Sequence, residues 1–221
     1  MCGRYTIPYA GNDLEIRFEL SNNIGVFEPS YNISPGETVP VITKNSPKKG
    51  VPMKWGFIPH WADPLTMKLK PINARADKLS GGFYREAFKS SRCLVPAGGY
   101  YEWRKFTMDG KPQKQPYYFK LKKEELFGFG GIYSVKEDKE GKEHYFFAII
   151  TTEPNSLQKP IHDRMPLIIP KDREDEWLET DKPMDLVKPF DSKLMEVWRI
   201  STLVNSPRND GLKLIEKLPE N

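Results

Sequence analysis

The sequence is poor in the residues that stabilise small secreted domains or bind structural metals. Only two cysteines, Cys2 and Cys93, occur in 221 residues, which is too few for a disulfide framework. No cationic segment followed by an apolar one directs secretion, so we expect a reducing, cytoplasmic compartment in which thiols persist. The histidines His60, His144 and His162 lack the paired spacing of zinc ligands. The sequence therefore predicts neither a disulfide scaffold nor a metal site.

Long apolar runs and cofactor motifs are missing as well. The longest apolar run, YFFAII near residue 145, has the length of a strand, whereas a membrane span needs about 20 residues. The GFGG segment lacks the lysine and the strand-to-helix context of a phosphate-binding loop. We therefore expect no membrane association and no cofactor.

Short apolar or alternating segments dominate the chain after about residue 39. They are VPVIT, VPMKWGFI, RCLVPAGGYYEW, PYYFKLK, LFGFGGIYS, HYFFAIITT and PLIIP, and Pro, Gly, Asn or charged turns separate them. This pattern predicts an α+β fold in which a curled mixed or antiparallel sheet forms a barrel-like core with short peripheral helices. No domain boundary is visible, so we predict a single domain over 1–221, with a flexible tail at about 212–221.

Few segments have a helical pattern, and each is too short to be stable without packing on the sheet. The predicted helices are 13–20, 83–90, 171–179 and part of 190–197. Asn12 followed by Glu15 resembles a capping box at the start of the first one. We expect Leu14, Phe18 and Ile16 to face the core.

The charge is only mildly basic, at +4, but the basic residues are unevenly distributed. A central group consists of Lys68, Lys70, Arg75, Lys78, Arg85, Lys89, Arg92, Arg104 and Lys105. Such clustering suits a polyanion such as nucleic acid, and it is also typical of an ordinary solvated surface. Charge alone leaves both interpretations open.

Four polar segments interrupt otherwise apolar or tightly turned sequence. They are MCGRY, PINARAD, GGYYEWR and PIHDRMP. Each has a structural explanation by itself: Cys2 suits a buried apolar position, Asn73 an Asx turn, Glu102 a strand end and His162 a hydrogen-bonded turn. Together they supply a nucleophile, a carboxylate, an imidazole, an amide and arginines, which an active site for a phosphate-bearing substrate requires.

The order of these motifs points to a family. MCGRY, YNISPG, WGFIPHW, NARAD, RCLVPAGGYYEW, HDRMP and LVNSPRND resemble the SRAP family (SOS response-associated peptidase) over most of the chain. The resemblance implies a single-domain β-rich fold that binds abasic sites in single-stranded DNA and crosslinks to them. It implies that the catalytic residues are Cys2, Asn73, Glu102 and His162. It implies that the DNA-binding residues are Arg4, Arg75, Trp103 and Arg164.

The resemblance also implies that Met1 is removed, either by self-cleavage or by an aminopeptidase. Cys2 then carries an amine and a thiol on adjacent carbons, and this pair condenses with the aldehyde of the ring-opened sugar to a thiazolidine. An ordinary thiol pKa of about 8.5 leaves a few per cent thiolate at pH 7, so we expect the thiol to need only modest activation. Because a thiazolidine is no longer an imine, we expect shielding of the site in preference to strand cleavage.

The chemistry assigns a role to each candidate residue. We expect His162 to move protons during opening of the sugar and Glu102 to accept a proton from the amine, while Asn73 holds the amine or a sugar oxygen. The arginines would bind flanking phosphates and Trp103 would stack on a base. Gly99 departs from the polar or acidic residue expected at this position in relatives, so the turn before Tyr100 is expected to differ.

Two alternatives remain open at this stage. One is a cysteine hydrolase in which the thiol attacks an amide with His162 as the base and Glu102 as its orienting group. The other is a noncovalent reader of modified or single-stranded DNA. For the crosslinking protein we expect a monomer that joins the nucleoid when DNA is damaged.

Overall fold

The computed structural model describes residues 2–44, 48–64 and 66–219. Within these ranges the chain forms thirteen strands and three short α-helices. The strands are β1 (Tyr5–Ile7), β2 (Ser30–Ile33), β3 (Thr38–Thr43), β4 (Lys49–Trp55), β5 (Asn73–Arg75), β6 (Arg92–Ala97), β7 (Gly99–Met108), β8 (Lys111–Leu121), β9 (Phe127–Glu137), β10 (Glu143–Thr152), β11 (Met165–Pro166), β12 (Ile168–Ile169) and β13 (Met195–Arg199). The helices are α1 (Gly11–Phe18), α2 (Arg85–Ser90) and α3 (Glu174–Glu179). None of the helices in the described ranges combines the length and the apolar character needed to cross a membrane.

Five strands close into a barrel. Strand β10 pairs with β4, β4 with β3, β3 with β6 and β6 with β9. The ring closes because β9 also pairs with β10. The β10–β4 pairing is parallel and the other four are antiparallel. The strand β5 continues the β4 edge of β10, also in parallel orientation. The α+β class, the mixed curled sheet and the barrel-like core predicted from the sequence are therefore confirmed.

A second sheet with the strand order β13-β8-β7-β1-β2 packs against the barrel. The chain passes from the barrel into this sheet at Gly98, between β6 and β7. A Cβ on Gly98 would lie 2.5 Å from Pro8, and one on Gly99 would lie 2.2 Å from the hydroxyl of Tyr118. Neither position has room for a side chain. Gly99, the departure noted in the sequence, therefore fits the close approach of Tyr118 to β7.

The aromatic core spans both sheets. Tyr5 of the second sheet packs edge-on against Trp55 and Phe129 of the barrel, with ring centroids 5.1 and 5.8 Å apart. Burial of rings of this size stabilises a fold by several kcal/mol, at about 25 cal/mol per Å². The indole of Trp55 also donates to the carbonyl of Ile72 at 2.8 Å. The core thus fixes the chain that leads directly into Asn73.

The first helix starts differently from the prediction. The carboxylate of Asp13 accepts the backbone N–H of Ala10 at 3.1 Å, so the predicted Asn12–Glu15 capping box is wrong. The N–H of Ala10 has no backbone partner within the helix, so it needs a side-chain acceptor. Asp13, two residues earlier than Glu15, supplies this acceptor one turn from the helix start.

The apolar face of α1 is narrower than predicted. Leu14 and Phe18 are buried, as expected for residues four apart on one face. Ile16 is 71% exposed, because it lies two residues from each and therefore on the other side of the helix. Its expected inward position is wrong.

The segment 190–197, of which part is predicted to be helical, contains a 3₁₀ turn and the first residues of a strand. A short 3₁₀ turn (Ser192–Leu194) precedes β13, which pairs with β8 and so continues the second sheet. Within the predicted tail, Leu214 is buried, and the N–H of Leu218 donates to the carbonyl of Arg199 at 2.9 Å. Positions 220 and 221 of that tail lie outside the described residues.

One member of the central basic group has a structural role. Arg92 is 5% exposed, and its guanidinium donates to the carbonyls of Phe88 and Lys89 at the end of α2 and of Trp177 and Thr180 at the end of α3. A cation satisfies the unpaired carbonyls of a helix C-terminus. Both interpretations of the basic group placed Arg92 on the surface, and its burial excludes both for this residue.

Candidate active site

The start of the chain is held by an amide side chain. Cys2 is fully buried, and its carbonyl accepts a hydrogen bond from Nδ2 of Asn73 at 2.8 Å. Asn73 lies at the first position of β5, opposite Ile149 of β10. The barrel therefore fixes Asn73, and Asn73 fixes the backbone of Cys2. Met1, whose removal the sequence predicts, lies outside the described residues.

A carboxylate and an imidazole face each other beside this segment. Glu102 on β7 is 2% exposed, and its Oε2 lies 4.0 Å from Nε2 of His162. The backbone N–H of Arg164 donates to Nδ1 of His162 at 3.1 Å. Nδ1 also lies 3.2 Å from the carbonyl of Arg164 and 3.1 Å from Oδ1 of Asp163, so its surroundings accommodate either tautomer of the neutral ring. Nε2 is the ring nitrogen that faces the carboxylate.

Burial shifts both groups toward their neutral forms. It raises the pKa of Glu102 to about 7 and lowers the pKa of His162. Desolvation disfavours the charged form of any group, which is why the two shifts have opposite signs. A carboxyl group with a pKa near the working pH gives up and takes back protons readily. The pair is therefore suited to proton transfer.

The thiol of Cys2 needs more activation in this structure than its ordinary pKa implies. Burial raises its pKa, and the nearby charge of Glu102 raises it further. The same burial raises the pKa of Cys93, which lies inside the barrel. Modest activation is therefore not enough for the chain in this structure, since the environment favours the thiol over the thiolate.

Two arginines converge on one carboxylate. Arg75 donates to both oxygens of Asp77 at 3.0 Å, and a guanidinium nitrogen of Arg164 lies 3.8 Å from the same group. Arg164 also donates to the backbone carbonyl of Thr151, the residue opposite Arg75 on β10. Two cations are thus held side by side next to the turn that carries His162.

Arg4 and Trp103 contact the C-terminal motif of the chain. Arg4 donates to Oδ1 of Asn32 at 2.6 Å and to the carbonyl of Val204 at 3.0 Å. The indole of Trp103 donates to Oδ1 of Asn205 at 2.7 Å. The segment LVNSPRND therefore ties β1, β2 and β7 together. Contact of either residue with DNA stays a prediction.

The structure adds a residue that sequence reasoning missed. Gln158 is fully buried, its Oε1 accepts the hydroxyl of Tyr100 at 2.8 Å, and its Nε2 donates to the carbonyl of Arg164 at 2.9 Å. Its own carbonyl accepts the N–H of His162 at 3.0 Å. Tyr100 lies two residues before Glu102, on the same face of β7. Gln158 therefore links the strand of Glu102 to the turn of His162, and a lone glutamine in a loop gives no sequence signal of this.

The site is built from polar side chains of the protein. In the part of the chain that the structure describes, no three His, Cys, Asp or Glu side chains are grouped as a metal ion would require. The four predicted catalytic residues, Cys2, Asn73, Glu102 and His162, come together, and Arg75 and Arg164 flank them.

Comparison with known proteins agrees with the motifs. The family model of SOS response associated peptidase (SRAP) matches residues 1–207. The abasic site processing protein YoqW of Bacillus subtilis (strain 168) is 39% identical over 225 residues, covering 98% of this chain and 99% of the relative. The abasic site processing protein HMCES of Xenopus tropicalis is 30% identical over 261 residues, covering 95% of this chain and 76% of the relative.

A solved structure shares the whole architecture. The crystal structure of a protein from Bacteroides thetaiotaomicron superposes with a TM-score of 0.87 at 28% identity, covering 99% of this chain and all of that one. The fold, the order of the motifs and the extent of the family match lead to one conclusion: this chain is a member of the SRAP family.

Proposed function

We propose that this protein binds abasic sites in single-stranded DNA and captures their aldehyde with Cys2 after Met1 has been removed. The observation that carries the proposal is the pair of buried Glu102 and half-buried His162, 4.0 Å apart, beside a cysteine whose backbone Asn73 holds. Relatives named abasic site processing proteins support the choice of substrate. A DNA substrate also supports a cytoplasmic location at the nucleoid.

The first step opens the sugar. An abasic deoxyribose is mostly a closed hemiacetal, and opening moves a proton from the C1 hydroxyl to the ring oxygen. Neutral His162 accepts the hydroxyl proton, and the resulting imidazolium gives a proton to the ring oxygen, so atoms and charge balance and His162 is restored. The product is a free aldehyde.

The amine attacks next. The α-nitrogen of Cys2 adds to the aldehyde carbon, Glu102 takes a proton from that nitrogen and returns it to the oxygen, and water leaves as the imine forms. Asn73 keeps the backbone of Cys2 in place during these changes. Removal of Met1 is required for this step, because the nitrogen of Cys2 is otherwise part of a peptide bond. Either self-cleavage or an aminopeptidase would remove Met1.

Ring closure ends the reaction. The sulfur of Cys2 adds to the imine carbon while its proton passes to the nitrogen, so a C–S bond forms and C=N becomes C–N. The sum is one aldehyde and one aminothiol giving one thiazolidine and one water. Because burial raises the pKa of the thiol, attack by the amine comes first and the thiol reacts within the imine.

The arginine pair binds the DNA backbone in this proposal. A phosphate presents the same fork of oxygens as the carboxylate of Asp77, and guanidinium groups bind both in bidentate fashion. A flanking phosphate would therefore replace Asp77 between Arg75 and Arg164. Arg4 supports the site by fixing β1 to Asn32.

A denaturing gel with the two cysteine variants tests the proposal. Untagged wild-type protein and Cys93→Ala are expected to shift an abasic single strand to a band that survives denaturation. Cys2→Ala is expected to give no stable band, and its new N-terminal amine is expected to nick the strand through an imine. A stable crosslink that persists in Cys2→Ala overturns the thiazolidine.

A further inference from the structure

The long hairpin of β7 and β8 extends past the second sheet as a two-stranded ribbon. Residues 104–108 and 111–114 are exposed, whereas the hairpin is buried at Glu102 and Tyr118. A two-residue turn at Asp109 and Gly110, with φ of 51° and 72°, fixes its register. Two left-handed residues are typical of the turn that suits a twisted hairpin. We call residues 104–115 the basic ribbon.

The basic ribbon carries four cations, Arg104, Lys105, Lys111 and Lys114. The only acidic residue in the ribbon is Asp109, at its tip. Lys105 lies directly opposite Lys114 in the ladder. Like charges at opposite positions destabilise a hairpin, and this cost is removed when an anion binds between them. Among the described residues the four cations form no ion pair, whereas Lys120 farther along β8 lies 3.5 Å from Glu196.

The basic ribbon begins at the candidate active site. Arg104 is two residues after Glu102, and Trp103 lies between them on the same strand. Burial lowers the pKa of His162, and the charge of Lys105 is among the lesser causes, which places Lys105 near that ring. At about 3.4 Å per residue, the strand runs about 17 Å from position 104 to the tip. A DNA strand leaving the site has this surface within reach.

We infer that the basic ribbon binds the phosphates of the single strand that flanks the abasic nucleotide. This inference rests on the proposed function, because it extends the DNA contact of that site. Spaced cations together with Phe106, which is 41% exposed, match a strand of regular phosphates and stackable bases. An acidic protein surface would use the cations but would leave the aromatic ring without a role.

The second long hairpin provides a matched control. The tip between β9 and β10 carries exposed Lys139 and Lys142, but these alternate with Glu137, Asp138 and Glu140. Its local charge is therefore acidic, although the geometry and the number of lysines are similar. Lys139→Gln/Lys142→Gln removes two positive charges, as Lys105→Gln/Lys114→Gln does.

The experiment measures reversible binding of undamaged oligothymidine by fluorescence anisotropy over a series of salt concentrations. Strands of about 5 and about 16 nucleotides span the site sizes typical of single-strand binders. The ribbon variant is expected to bind the long strand more weakly, and its slope of log K against log[salt] to fall by about 1.4, since each lost phosphate contact removes about 0.7. The control variant is expected to match wild type.

Three results would overturn the inference. They are equal salt slopes for the ribbon and control variants, no affinity of wild type for the undamaged strand, and equally ribbon-dependent binding of poly-glutamate. The last result would assign the ribbon to an acidic protein. The test needs no covalent step, whereas the proposed function fails on a stable adduct in Cys2→Ala, so the two failures are distinguishable.

Discussion

Cys2 and Cys93 are equally buried but have different neighbours. Both are fully buried, and burial raises the pKa of both thiols. Cys93 packs inside the barrel, where a Cβ on Gly131 would lie 3.0 Å from its sulfur. Cys2 lies beside Glu102 and is held by Asn73. In the proposed function, Cys2 is therefore distinguished from Cys93 by its neighbours, and the acidity of the thiol does not distinguish the two.

The largest expected effect comes from removing the neighbour that moves protons. Glu102→Gln keeps the shape of the side chain but cannot accept a proton, so Cys2 should become almost as inert as Cys93. We expect the rate of crosslinking to fall by about 10² to 10⁴, the range of general acid–base catalysis. Single-turnover gels at saturating DNA measure it. A rate within threefold of wild type would show that Glu102 does not distinguish the two cysteines.

The same substitution should stabilise the fold at high pH. Burial raises the pKa of Glu102 from about 4.5 to about 7, so the native state keeps a proton that the unfolded chain releases. The resulting stability is complete below pH 4.5 and is lost as the pH rises through 7. The shift corresponds to about 3 kcal/mol. Urea unfolding at pH 5 and pH 8 should show Glu102→Gln gaining stability over wild type only at pH 8.

The rate of crosslinking should depend on pH through the same ionisation of Glu102. As a base, Glu102 is active only above its pKa of about 7, so the rate should fall about tenfold per pH unit below that value. In Glu102→Gln this step should disappear and leave only the titration of the α-amine, near 7.8. A pH profile of single-turnover rates checks it. Identical profiles in both proteins would assign the titration to the amine alone.

A smaller effect is expected from the residue that positions the pair. Gln158→Leu removes the link between Tyr100 and the turn of His162, so the rate should fall about tenfold through loss of alignment. Binding of undamaged DNA should stay unchanged. Combining it with Tyr100→Phe should add little, because both break one network.

Gln158→Glu gives this prediction its control. It keeps the acceptor for the hydroxyl of Tyr100, but it can donate to the carbonyl of Arg164 only as the protonated acid. It should therefore recover stability and rate at low pH and lose both as the pH rises and the buried carboxyl group ionises. Full recovery of stability and rate at every pH would show that Gln158 acts only through packing.

The smallest effect on crosslinking is expected from replacing Cys93. Cys93→Ala should leave the crosslinking rate unchanged and destabilise the fold by about 1 kcal/mol, since a small buried group leaves a small cavity. Urea midpoints and the same gels measure both. A slower crosslink in Cys93→Ala would break the distinction between the two thiols.

The sequence was a good guide wherever local pattern decides structure. Alternating segments such as VPVIT predicted strands, and the barrel followed from their number. The order of the motifs predicted one site with Cys2, Asn73, Glu102 and His162, and these residues lie together in the structure. The helix predicted for part of 190–197 is reduced to a 3₁₀ turn at Ser192–Leu194, because pairing with β8 makes the chain a strand from Met195 on.

Other features depend on contacts that no local pattern encodes. Arg92 reads as a surface cation, but distant carbonyls surround it. Gln158 joins a loop to a strand 58 residues away. The raised pKa of Glu102 arises from burial, which depends on the whole fold. Such contacts connect segments far apart in the chain, so only the folded structure reveals them.

Intact mass spectrometry of untagged protein with an abasic oligonucleotide tests the central claim most directly. The account predicts loss of Met1 and then a one-to-one adduct whose mass is the sum of the partners minus one water. An imine has the same mass as the thiazolidine, so the adduct is also treated with borohydride and, after denaturation, with iodoacetamide. The thiazolidine predicts no gain of hydrogen and no alkylation at Cys2. Reduction of the adduct, or alkylation of Cys2 within it, would contradict the account.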